Sequence, residues 1–185
     1  GVEVDSGDER RFHAPVYGAH NVTNILLATA AARHIGLPLG EVALRVATLE
    51  PFEHRLQRRV QPGGITILDD AYSANPVGAR SALQVLGLHK NGRRILITPG
   101  MVELGPRQDE ENRRLGELAA VYATDIVLVG VEQTRAVRAG VAATEFDRSR
   151  LHVFDTRAES MAWLRENARP GDTVLFLNDL PDTYL

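Results

Sequence analysis

At 185 residues the chain is long enough to bury about 70% of the surface it exposes when unfolded, so its fold needs neither disulfide nor metal. It has no cysteine, which excludes disulfide staples, thiolate metal sites and thioester chemistry. Hydrophobic residues make up 44% and charged residues 24%, the net charge is −3 and no apolar run approaches about 18 residues; these values predict a cytoplasmic globular protein with neither a nucleic-acid nor a membrane surface.

Residues 1–13 alternate apolar and polar around a Ser-Gly-Asp turn and predict a small hairpin; Gly1 in place of a methionine suggests a processed or cut chain. The Ala- and Leu-rich run from His20 to Ile35 predicts a helix stopped by Gly36, and a second, shorter helix fits 39–49 before Pro51. After the string EPFEHR (50–55) the texture changes. An arginine-rich strand is expected at 56–61, followed by a Pro-Gly-Gly turn and then by strands at 65–68, 94–98, 126–129, 151–154 and 173–177. Helices are expected between them at 76–88, 108–123, 132–142 and 157–168, with Asn75 capping the first and a Thr156/Glu159 capping box opening the last. Steady strand–helix alternation means an α/β fold: a Rossmann-like, mostly parallel sheet with helices on both faces, here preceded by a helical remnant. Ligands of such sheets lie beyond the carboxyl ends of the strands.

Several common sites are missing from the sequence. Gly100 and Gly105 have P-loop spacing, but Pro106 and Arg107 follow where Lys-Ser/Thr would be required, and no Gly-x-Gly-x-x-Gly follows any strand. There is no His-Glu-x-x-His and no Gly-x-Ser-x-Gly. Of the 21 basic residues only Lys90 is lysine, so lysine chemistry has one candidate. A phosphoacceptor receiver domain is disfavoured, because the middle strand ends in Val129-Gly130 and Lys90 falls in a loop. A non-catalytic nucleotide-binding module stays open, since fold alone does not set function.

Three strings remain: HNVTN (20–24), EHR (53–55) and DDAYSANP (69–76). Asn21 and Asn24 lie three apart, so on a helix start their amides face one way and suit a base edge; the plainer alternative is that Asn21 caps the helix. The Arg55 guanidinium suits a phosphate, or is simply a surface residue. Asp70 suits the hydroxyls of a ribose, or caps a turn. Asp69, nearer the sheet, reads as structural, and His20 as a packing and hydrogen-bonding residue.

The order of these strings, with Asp70 15 residues after Arg55, resembles the Mur ligase superfamily, and DDAYSANP is most similar to its MurF branch. TPGMVELG (98–105) is similar to the Gly-x-Met-x-Glu-Leu-Gly loop of that branch. The resemblance runs from about Gly18 to the end. It implies an ATP-dependent amide ligase of peptidoglycan precursor synthesis that joins D-Ala-D-Ala to a UDP-MurNAc-peptide through an acyl phosphate. Residues 1–49 would then close the central ATP-binding domain, 50–55 would form a hinge and 56–185 the C-terminal domain. By the same resemblance Asn21 and Asn24 contact adenine, Arg55 the terminal phosphate as the catalytic cation, and Asp70 the ribose, while Tyr72, Asn75 and Glu103 flank the amine substrate. Magnesium and its ligands would come from the missing N-terminal part together with the P-loop, so that this chain alone is expected to be inactive. Two departures, LNDLPDTYL at the end and Asn112 where a histidine is common, keep open a Mur-type ligase with another amine donor.

Overall fold

Strand β1 (Val2–Asp5) pairs antiparallel with β2 (Arg11–Ala14) in a computed structural model that describes residues 1–5, 11–72 and 74–178. The expected hairpin is therefore present, with its Ser-Gly-Asp turn outside the described residues. Helices α1 (Ala19–His34) and α2 (Leu39–Ala47) form a small core with it around Ala14, Ile25, Val42 and Val46. Gly36, at φ 95°, ends α1 in the left-handed conformation that glycine adopts without a Cβ clash. Leu27, Ile35 and Leu44 remain largely exposed on these two helices.

The main sheet has six strands in the order β3-β4-β8-β5-β6-β7. They are β3 (Gln57–Val60), β4 (Thr66–Asp70), β5 (Arg94–Thr98), β6 (Asp125–Val129), β7 (Leu151–Phe154) and β8 (Thr173–Leu177). Only β3 runs antiparallel, with Gln57 opposite Asp69; the other pairings are parallel, and Leu175 lies opposite both Leu68 and Leu96. Successive side chains point to opposite faces. Leu68, Leu96, Ile126, Leu128 and Leu175 pack under α3 (Pro76–Leu88), α4 (Gln108–Tyr122) and α5 (Arg135–Ala142). Ile95, Ile97, Val127, Val129 and Val174 face the other way, toward α6 (Arg157–Asn167). Each such buried side chain contributes about 1.5–3 kcal/mol.

The caps fall where expected: Asn75 Oδ1 accepts from the Val77 and Gly78 amides at 3.1 and 2.9 Å, and Thr156 with Glu159 forms the capping box. Helix α5 begins at Arg135 and not at the expected 132, because the Thr134 hydroxyl donates to the Gly130 carbonyl at 2.6 Å and holds the intervening residues in a turn. Helices α4 and α5 touch backbone to backbone. A Cβ on Gly116 would sit 2.1 Å from the Val137 carbonyl oxygen, and one on Gly140 1.9 Å from that of Arg113. Among the described residues no helix is long and apolar enough to cross a membrane.

Candidate functional site

Strand β4 carries Leu68 into the core and then releases two carboxylates at its end. The Asp70 side chain turns to one side, where its Oδ1 accepts the Leu56 amide at 2.9 Å. Asp69 turns to the other, where both its oxygens lie 3.0 Å from His54 Nδ1. The two acids thus pin the segment before β3 from both sides of Arg55. His54 and Leu56 have φ of 58° and 52°, a left-handed backbone that costs about 1 kcal/mol or more for each non-glycine residue. Burial of the Leu56 side chain and the two carboxylate contacts hold this conformation in place. Its consequence is that Arg55, between the two strained residues, projects outward.

The Arg55 guanidinium stacks over the Tyr72 ring, 4.3 Å from its centroid, and the Tyr72 amide donates to the His54 carbonyl at 3.3 Å. Cation–π stacking restrains the guanidinium while leaving its N–H groups free to donate in the ring plane. Burial pushes the Asp70 carboxyl up to about 6; the Leu56 N–H and the Arg55 charge oppose that rise, and Asp69 adds to it.

From the opposite wall comes the start of α1. Gly18 precedes the helix at φ 90°, and a Cβ there would lie 2.6 Å from the His20 ring and 3.2 Å from Leu56, so the glycine lets α1 begin close to β3. Asn21 is not the cap. It is the third residue of α1, where its Nδ2 donates to the Tyr17 carbonyl at 2.7 Å while its Oδ1 accepts from Asn24 Nδ2 at 3.3 Å. The two amides are coupled, and Asn24 is exposed. His20 lies beside them with its Nδ1 buried and without a partner among the described residues, and burial lowers its pKa.

These residues share one cleft. Asn21, Asn24, Arg55, Asp70, Tyr72 and Asn75 line a cavity of about 640 Å³, within the range of small-molecule sites. Phe52, 82% exposed, also lines it. It escaped the sequence reading, although an apolar residue between Pro51 and an acid in a hinge-like string was a signal available there. The cleft joins amide groups, an aromatic face and a guanidinium, a donor set that fits a base, a sugar and an anionic tail.

Glu103 does not join this cleft. It lies exposed at φ 62° on the loop after β5, and that loop is anchored from below. Asn178 Nδ2 donates to the Gly100 carbonyl at 2.7 Å, and the Asn178 amide donates to the Asp70 carbonyl at 3.1 Å. Asn112 is buried: its Oδ1 accepts the Met101 amide at 2.8 Å, and its Nδ2 donates to the carbonyls of Met101 and Gln108 at 2.8 and 2.9 Å. Asn112 is therefore a brace for the loop, and Asn178 ties the loop to the end of β4; neither role was evident from the sequence.

Among the described residues no cluster of three or more His, Asp or Glu side chains is arranged to hold a metal ion. A second cavity, of about 340 Å³, lies on the α6 face among Ile67, Ile97, Met161, Leu164 and Phe176, with Asp69 and His54 on its rim. Its walls are mainly apolar and suit a polyanion poorly.

Residues 54–178 match the protein family described as Mur ligase, glutamate ligase domain. The chain is 34% identical over 180 aligned positions to UDP-N-acetylmuramoyl-tripeptide--D-alanyl-D-alanine ligase of Mycobacterium tuberculosis, covering 86% of this chain and 35% of that enzyme. It is 28% identical to the Bacillus subtilis ligase of the same name, covering 92% and 37%. Among solved structures, MurF from Acinetobacter baumannii superposes with a TM-score of 0.76 at 28% identity, covering 91% of this chain and 36% of that one. A MurF ligase from Thermotoga maritima, solved in complex with ADP, shares the fold at a TM-score of 0.75 and 21% identity. The chain thus spans little more than a third of the length of these relatives.

Proposed function

The chain belongs to the Mur ligase family, and we propose that it is the C-terminal part of an ATP-dependent ligase joining D-Ala-D-Ala to a UDP-N-acetylmuramoyl-tripeptide. The observation that carries this reading is the convergence of Asn21 and Asn24 of α1 with Arg55 and Asp70 around β3 and β4 on one cleft. A relative solved with ADP supports the same ligand class. In this reading the Asn21–Asn24 amide pair meets the adenine edge, and the free Asp70 Oδ2 meets the ribose hydroxyls. Arg55 donates to the terminal phosphate, and Tyr72 and Asn75 border the amine substrate.

A carboxylate is a poor electrophile. Transfer of the terminal phosphoryl group of ATP to the peptide carboxylate gives an acyl phosphate; the amine then attacks, and phosphate leaves as the amide forms. Charge accumulates on the moving phosphoryl group, and a prepositioned guanidinium stabilises it. One charge-assisted hydrogen bond of this kind is worth about 1.5–3 kcal/mol. Stacking on Tyr72 and the pinned neighbours of Arg55 orient that donor before the reaction begins. Magnesium would be held by residues outside this chain. With no P-loop in its sequence, the 185-residue chain by itself should not turn over ATP.

Residues 1–49 are read as the end of the central domain and 56–185 as the C-terminal domain. The contacts of His54 and Leu56 with Asp69 and Asp70 fix the second half of the 50–55 segment to the sheet, so bending falls to the residues before His54. The exposed Leu27, Ile35 and Leu44 would be covered by the rest of the central domain. A Mur-type ligase with another amine donor is the alternative; Asn112, wholly occupied with the loop, does not bear on the choice. In the full-length enzyme, phosphate release should require both the UDP-linked tripeptide and D-Ala-D-Ala, and Arg55→Ala should lower it at least tenfold with the fold intact. Full activity in that variant would overturn the phosphate assignment, and release supported by a different amine would favour the alternative.

A further inference from the structure

At the amino end of the sheet a separate cavity of about 310 Å³ opens between the edge strand β3 and the loop after α3. Arg58, His89, Lys90 and Asn91 line it, with Thr66 and Thr173 from the first positions of β4 and β8. None of its lining residues is acidic, in a chain whose acids outnumber its bases, 24 to 21.

Arg93, Arg107, Arg113, Arg114, Arg135 and Arg150 all form ion pairs. Arg58 and Lys90, the sole lysine, have no such partner among the described residues. The nearest carboxylate along the chain, Asp172, is already satisfied: it accepts the Arg93 and Arg169 amides at 2.9 Å each and the Arg93 guanidinium at 2.8 Å. Two cations therefore line one concavity with no counter-charge. Burial, and then the charge of Arg58, lower the pKa of His89, which supplies a neutral ring nitrogen to the same wall.

We infer that this cavity binds a phosphate-class anion, with Arg58 and Lys90 providing the charge and His89 and Asn91 neutral hydrogen-bond donors. Planar guanidinium and compact ammonium groups together match the several acceptor oxygens of such an anion. The site is distinct from the nucleotide cleft: Thr66 and Asp70 stand at opposite ends of β4, about 13 Å apart at the usual rise per residue. The inference is independent of the ligase reading. The anion could be a free phosphate or a lipid headgroup, and the experiment separates the two sources.

The 15N-labelled chain is titrated with pyrophosphate at constant ionic strength, alongside the double variant Arg58→Ala/Lys90→Ala and the single variants Lys90→Gln and Arg55→Ala. Amides of residues 88–91 and 171–173 should shift in the wild type. Affinity read from these amides should fall at least tenfold in the double variant and fall measurably in Lys90→Gln, while any loss in Arg55→Ala should be confined to the amides around Leu56 and Tyr72. In parallel, vesicles containing phosphatidylglycerol are compared with phosphatidylcholine vesicles. Sedimentation only with the former, lost in the double variant, would assign the same cations to a lipid headgroup. Absence of both responses, or abolition by Arg55→Ala of the response at residues 88–91 and 171–173, would overturn the proposal.

Discussion

Replacing Asp70 with asparagine tests the electrostatics of the cleft in detail. Asparagine keeps an oxygen that can accept the Leu56 amide, so the pin on the strained segment survives and only the charge is lost. Burial raises the carboxyl from 3.8 to about 6. At about 1.4 kcal/mol per tenfold change, that displacement is at most about 3 kcal/mol of stability lost by the time the group is fully ionised. The sign follows from the direction: a carboxyl raised by folding favours the fold below about pH 3.8, and that contribution disappears as the pH climbs through about 6. Asp70→Asn should therefore be more stable than the wild type at pH 8, by up to about 3 kcal/mol or about 6–12 °C in Tm. At pH 4 the two proteins should melt together. The assay is thermal unfolding followed by circular dichroism from pH 4 to 8, with the mutant-minus-wild-type difference cancelling the other titrating groups. A difference that does not change with pH, or a variant less stable at pH 8, would refute the claim that burial strains this charge. In the assembled enzyme the same substitution should weaken nucleotide binding, which would make Asp70 a residue whose charge costs stability and serves the ligand.

Asn112→Ala removes three hydrogen bonds and leaves the Met101 amide and carbonyl without partners; it should cost about 2–4 kcal/mol in chemical denaturation, and a cost below about 1 kcal/mol would contradict its role as a brace. Gly140→Ala places a methyl group against the Arg113 carbonyl and should destabilise by about 1–3 kcal/mol, read as a lower Tm; an unchanged Tm would show that α4 and α5 can separate without cost.

The sheet was legible because its parallel strands are buried on both faces and so appear as short apolar runs. Strands 94–98, 151–154 and 173–177 coincide residue for residue with the structure. The start of α5 was misread because Glu132 and Gln133 suit a helix, whereas the deciding contact, from the Thr134 hydroxyl to the Gly130 carbonyl, is a local side-chain-to-backbone bond that carries no periodicity. The strings containing Asn21, Asn24, Arg55 and Asp70 were visible as spacing, but spacing does not bring α1 against the end of β4. That approach depends on Gly18 and on the contact of Leu56 with Asp70. Left-handed backbone at His54 and Leu56 was hidden, because neither residue type signals it. Asn112 stood in the sequence only as a departure from a common histidine, and it is buried beneath the loop. Asn178, a lone amide after the last strand, reads as an ordinary turn residue until the fold places it beside Gly100.

The most direct test of the account is a map of where a nucleotide touches this chain. With the side-chain amides and guanidinium nitrogens labelled, titration with ATP should move the Nδ2 resonances of Asn21 and Asn24 and the Nε resonance of Arg55, together with the backbone amides of Leu56 and Tyr72. Shifts gathered instead around Met161, Leu164 and Phe176 would contradict it, as would none at millimolar ATP, because the cleft built from α1, the strained segment and the end of β4 would then not be where the nucleotide is held.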